Sequence, residues 1–134
     1  MRDEKFSHHE IKGKAMNTSM VMLVDSSNTY NFIDQIVVKR MGCSIQTISG
    51  IGVSIANGDR IWVHEVCKKV YWETEGLLQL TNFMALPLNR CDLILGVQWL
   101  KTLGSIIWDF TTLTIRFHLD NQQFILHGMI VGNI

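Results

Sequence analysis

The chain has 134 residues and 47% hydrophobic content, enough for one domain with a real core that needs neither disulfides nor metals. Lys+Arg and Asp+Glu balance at 12 each, which excludes a charge-driven partner such as nucleic acid or an anionic membrane surface. Cys43, Cys67 and Cys91 are too widely spaced for a CxxC metal knuckle or a dense disulfide framework, and read as free thiols of a reducing compartment.

The first ten residues are charged and contain no apolar segment of the signal-peptide kind, and no apolar run is long enough to cross a bilayer. A soluble, intracellular protein is expected. Residues 1–17 are polar and aperiodic and read as a disordered arm or linker, with the domain over 18–128 and a tail over 129–134. Met20-Val21-Met22-Leu23-Val24 predicts a buried strand that stops at the polar loop Asp25-Ser26-Ser27-Asn28. From Asn31 the apolar positions Phe32, Ile33, Ile36, Val37 and Met41 recur at helical spacing, with Asn31 as cap, Asp34 in the first turn and Gly42 as stop.

Val53 and Ile55 alternate with polar residues, as do Ile61 and Val63, and Asn57-Gly58 between the two runs predicts a hairpin. Further strands are expected over Val66–Trp72 and Leu77–Leu86, the latter ended by Pro87. Cys91 to Gly96 predicts a second buried strand, followed by a helix over Val97–Leu103 that Gly104 stops. Leu113–His118 and Phe124–His127 flank a turn at Asp120-Asn121. The outcome is an all-β domain with one or two short helices. The apolar strand, tight loop and helix of Met20–Met41 have a weak echo in Cys91–Leu103.

Asp25 is the one carboxylate at a strand-to-loop junction suited to chemistry. Peptide hydrolysis by carboxylates needs two close enough to share one proton, so a second must come from another chain across a two-fold axis. Asp92 and Asp109 read as strand-edge or turn residues instead. The five histidines share no ligand spacing, so no metal site and no cofactor are expected, and the tryptophans and methionines read as core and contact residues.

Leu23-Val24-Asp25-Ser26, Ala56-Asn57-Gly58-Asp59 and Cys91-Asp92-Leu93-Ile94-Leu95-Gly96-Val97-Gln98-Trp99-Leu100 closely resemble the protease domain of plant gypsy-type LTR retrotransposon polyproteins. Ile107-Trp108-Asp109-Phe110 and Leu113-Thr114-Ile115-Arg116-Phe117 match the same domain, so the likeness spans roughly residues 19 to 128 in order. The resemblance implies a closed retropepsin-like acid-protease fold that forms one half of a two-fold homodimer, an aspartic endopeptidase that takes an extended peptide of its own polyprotein. It further implies a cytoplasmic or particle-enclosed setting. By the same resemblance Asp25 is the catalytic aspartate, Ser26 and Ser27 support the loop at the dimer axis, Ala56, Asn57, Gly58 and Asp59 tip a flap, and Leu95 and Gly96 lie beneath the catalytic loop.

The family pattern has glycine where this chain has Ser27. Glycine there serves either positive φ or close approach of two backbones, and a Cβ costs about 1–3 kcal/mol if the loop is strained by it. The same residues therefore carry an alternative, a catalytically silent peptide-binding or dimerisation module.

Overall fold

The computed structural model describes residues 8–54 and 58–129. Among the described residues ten strands and two short α-helices run in the order β1 (His8–Ala15), β2 (Thr18–Asp25), β3 (Phe32–Asp34), α1 (Gln35–Met41), β4 (Ile45–Ser54), β5 (Arg60–Thr74), β6 (Leu77–Leu86), β7 (Leu93–Leu95), α2 (Val97–Leu100, continued as a 3-10 turn over Lys101–Leu103), β8 (Ile107–Asp109), β9 (Thr114–Leu119) and β10 (Gln122–His127).

Seven strands form one sheet in the order β1-β2-β7-β3-β6-β5-β4. Lys14 and Ala15 of β1 also pair with Glu73 and Trp72 of β5, which joins the sheet to itself and removes the open edges there. β8, β9 and β10 make a separate three-stranded sheet. The Gly128 N–H bonds the Leu113 carbonyl beside β9, and the Met129 N–H bonds the Glu10 carbonyl, which ties the end of this sheet to β1. The all-β expectation with short helices therefore holds, and the closure is a property of pairing between distant segments.

Ile11, Met22, Val24, Trp72, Leu93, Leu95 and Ile115 are fully buried and fill the interior between the two sheets. Trp72 meets Trp99 edge-on at 5.3 Å between ring centroids, and Trp99 meets Phe117 the same way at 6.3 Å. A smaller cluster of Phe32, Val53, Val63, Met84 and Leu86 packs at the base of the β4–β5 hairpin. Of the four tryptophans, Trp72 and Trp99 are core, whereas Trp62 is exposed and Trp108 half-buried.

The structure corrects the sequence expectation in three places. Within the arm expected over 1–17, residues 8–15 form β1, paired with β2 over its whole length from His8↔Asp25 to Ala15↔Thr18. The strand's charged residues Glu10, Lys12 and Lys14 alternate with buried Ile11 and Ala15, so half of it is polar. The helix expected from Asn31 starts only at Gln35, because Phe32 and Ile33 are a strand inserted between β6 and β7. Ile36, counted toward the helix's apolar face, is 66% exposed. The strands expected over Ile61–Glu65 and Val66–Trp72 are one, β5, with a register shift between Cys67 and Val70 where Lys69 takes φ 55°.

Gly42 does end α1, in the left-handed conformation at φ 64°, and its N–H donates to the Val38 carbonyl. The echo between the two halves becomes physical contact. β2 and β7 lie parallel and side by side, Met22 against Leu93 and Val24 against Leu95; β7 leads through Gly96 straight into α2, whereas β3 stands between the loop after β2 and α1.

Candidate active site

Asp25 is the last residue of β2, half-buried, and its backbone enters a turn through Ser26 and Ser27. The turn is closed by the Asn28 N–H on the Asp25 carbonyl at 3.3 Å. Three donors reach the carboxylate from within the loop. The Ser27 N–H and hydroxyl both bond Oδ1, at 2.8 and 2.6 Å, and the Asn28 side-chain amide bonds Oδ2 at 3.0 Å. Ser26 is half-buried in the same turn.

Ser27 is exposed and is not among the residues with positive φ. Of the two reasons for glycine at this position, backbone conformation therefore does not apply, and the strain it would bring is absent.

The loop rests on a second one. Gly96 is buried, and a Cβ built on it would stand 2.4 Å from the Tyr30 carbonyl oxygen and 2.6 Å from that of Asn28. Only a residue without a side chain allows this approach, whose cause is contact and not backbone angle, since Gly96 has φ −96°. Around it the Val97 N–H donates to Asn28 O at 2.8 Å and the Gln98 N–H to Thr29 O at 2.9 Å. The neighbouring Leu95 is fully buried against the core.

Asn31, expected as a helix cap, is instead the buried connector of this assembly. Its Oδ1 accepts the Gly96 N–H at 2.9 Å, its carbonyl accepts the Met84 N–H, and its own N–H reaches Gln98 Oε1. Sequence reasoning gave it no part in the site. The signal available was a polar residue ahead of an apolar strand, which reads equally as a cap.

Asp92 and Asp109 stand apart from Asp25 in role, each tied to nearby backbone. Asp92 Oδ2 accepts the Val21 N–H at 2.8 Å, while its backbone bonds Val21 O and its carbonyl accepts the Asp34 N–H. It staples β2 to β3. Asp109 Oδ1 accepts the N–H groups of Thr111 and Thr112, and these bonds hold its carboxyl below the usual carboxylate range.

A groove of about 420 Å³ opens beside Asp25 and is lined by Leu23, Phe32, Ile61, Leu86 and Ile94 with Asn28 and Ser54. Its lining is mostly apolar and includes Asp25, a setting suited to a side chain next to a bond under attack. Ser54 and Ile61 come from the β4–β5 hairpin, where Ser54 pairs with Arg60 and Val53 with Ile61. Gly58 and Asp59 lie exposed at the start of β5's approach, whereas Ala56 and Asn57 of the expected flap tip lie outside the described residues.

Cys43, Cys67 and Cys91 are free. Burial pushes the Cys67 thiol up to about 12 and the Cys91 thiol up to about 11. Among the described residues no group of three or more His, Cys, Asp or Glu side chains gathers as a metal site, and no helix is long and apolar enough to cross a membrane.

The sequence profile of the family described as retroviral aspartyl protease matches residues 3–122. Among solved structures, the retroviral protease-like domain of Ddi1 from Leishmania major superposes with a TM-score of 0.68 at 14% identity, over 92% of this chain and 95% of that one. EIAV protease complexed with the inhibitor HBY-793 superposes with a TM-score of 0.57 at 16% identity, over 80% of this chain and 98% of that one. No curated protein sequence matches the chain.

Proposed function

The chain belongs to the retroviral aspartyl protease family, and from that premise we propose that it is one half of an aspartic endopeptidase that cleaves peptide bonds of a gypsy-type retroelement polyprotein as a homodimer. The observation that carries this reading is Asp25 at the end of a buried strand, its carboxylate held by loop hydrogen bonds and Asp25 itself lining a mostly apolar groove. One chain supplies one such carboxylate, so a two-fold partner supplies the other.

Two Asp25 groups brought together share one proton, because like charges a few ångström apart do not both stay ionised. The ionised carboxylate takes a proton from a water molecule, whose oxygen attacks the scissile carbonyl carbon, while the protonated one donates to the carbonyl oxygen. The tetrahedral intermediate then collapses with cleavage of the C–N bond: the carboxyl that took the water proton gives it to the leaving nitrogen, and the other carboxylate takes back a hydroxyl proton, which restores the pair with one shared proton. Within this reading Ser26 spans the dimer axis, the hairpin around Ala56, Asn57, Gly58 and Asp59 closes over substrate, and the peptide lies extended in the groove with apolar side chains in its walls. The reading places the protein inside the cell, in the cytoplasm or within a particle.

The test is incubation of the purified chain with a library of unstructured peptides, with and without pepstatin, beside the Asp25→Asn variant. Pepstatin-sensitive cleavage lost in the variant is expected. Absence of such cleavage at concentrations that sustain a dimer sinks the enzyme reading.

A further inference from the structure

An ionised carboxylate offers about four acceptor positions, two on each oxygen. Within this single loop, three of those on Asp25 are already taken: Ser27 fills both positions of Oδ1 with its N–H and its hydroxyl, and the Asn28 amide takes one on Oδ2. Among the described residues, these bonds leave one acceptor direction, on Oδ2.

We propose that Ser27 and Asn28 are positioning residues for Asp25, a clamp that fixes the plane of its carboxylate and leaves one direction on Oδ2 for the single proton that it takes from water or shares with the partner carboxylate. The proposal rests on the reading of Asp25 as the catalytic group. Its physical basis is that the terminal torsion of an aspartate is broad and soft, so that the plane of the carboxylate is set by its hydrogen bonds. Bonds to an ionised acceptor are shorter and about twice as strong as neutral ones, and the 2.6 Å Ser27 hydroxyl contact has the length of that class. A donor that replaces nothing else in the loop thus turns the departure from glycine into an added restraint on the reacting group.

The two residues are not equivalent. Asn28 also lines the apolar groove, whereas Ser27 borders the adjoining depression formed with Thr29, Tyr30 and Gly52 and is absent from the groove wall. Loss of the Ser27 hydroxyl should therefore act on turnover alone, and loss of the Asn28 side chain on turnover and substrate binding together.

Steady-state kinetics on one cleaved peptide would compare Ser27→Ala, Ser27→Thr and Asn28→Ala with the unaltered protein. Ser27→Ala is expected to lower kcat roughly tenfold at unchanged KM, and Ser27→Thr, which keeps the hydroxyl, to stay within about twofold. Asn28→Ala should lower kcat and raise KM. An unchanged kcat in Ser27→Ala, or a Ser27→Thr variant as impaired as the alanine, overturns the clamp.

A second measurement needs no turnover. In a 1H–15N spectrum the Ser27 backbone amide and the Asn28 side-chain amide should both move when Asp25→Ala removes their acceptor. If the unaltered protein cleaves no peptide, the catalytic reading fails by itself, and resonances that stay in place in Asp25→Ala then overturn the clamp independently.

Discussion

Replacement of Gly96 by alanine tests whether the second loop sets the position of the first. The added Cβ would lie 2.4 Å from Tyr30 O and 2.6 Å from Asn28 O, so one side or the other must retreat by about 1 Å to reach ordinary contact near 3.4 Å. Neither neighbour is a flexible side-chain end. Both are carbonyls of the loop that follows Asp25, and Asn28 O is held by the Val97 N–H, while Gly96 itself is held by Asn31 Oδ1. Overpacking of this kind costs about 1–3 kcal/mol, which for a domain of this size is a fall in Tm of roughly 3–15 °C. Asn28 is three residues from Asp25 and bonded to its carboxylate, so the displacement reaches the proposed reacting group. A shift of about 1 Å at a reacting group is worth roughly a hundredfold in rate. The assay pairs kcat/KM on an apolar-flanked fluorogenic peptide with urea unfolding. A Gly96→Ala variant with unaltered turnover and midpoint would refute the claim that these two loops are in obligatory close contact.

Asp92→Ala leaves the Val21 N–H without its acceptor and should destabilise the fold by about 1–3 kcal/mol; equal urea midpoints would mean that water replaces the bond at no cost. The raised Cys67 and Cys91 thiols favour their protonated form in the folded state, so their contribution is intact below the ordinary value of 9.0 and is lost as pH rises toward about 12 and about 11. Labelling with a thiol reagent at pH 8 should accordingly be slow at both until the chain unfolds, and fast reaction of Cys67 in the native state would contradict its burial. Asp109 runs the other way: its carboxyl is lowered by the Thr112 and Thr111 N–H groups, so its stabilisation is present above the ordinary value of 3.8 and fades as pH falls through the folded value. An NMR titration of Asp109 that shows no downward displacement would remove that turn's electrostatic role. Sedimentation at micromolar concentration is expected to give a dimer, and a strict monomer would leave Asp25 without its second carboxylate.

Much of this protein is legible along the chain because the signals are local. The strand Leu77–Leu86 with Pro87 after it matches the structure end to end, as alternation and a residue without an N–H both act within a few positions. Gly42, Gly104 and the Asp120-Asn121 turn all take positive φ where short-range chemistry indicates a stop or reversal. Asp25 itself was found from an apolar run broken by a polar loop, which needs no knowledge of the rest of the chain.

What the sequence could not decide depends on partners far away in it. Phe32 and Ile33 fit a helical period as well as a strand, and only insertion between β6 and β7 makes them β3. Residues 8–15 look like a polar arm until β2 and β5 offer hydrogen bonds to their backbone. Asn31 looks like a cap until Gly96, 65 residues on, brings it an N–H to accept. At Ser27 the residue type alone suggested strain, whereas the folded loop gives it an ordinary backbone and a hydroxyl bond to Asp25. The composition and local pattern thus determined an all-β chain with a carboxylate, Asp25, where a buried strand meets a polar loop. Closure of the sheet and the contact of the Gly96 loop with the Asp25 loop were decided in three dimensions, where hydrogen-bond donors and acceptors distant in sequence meet.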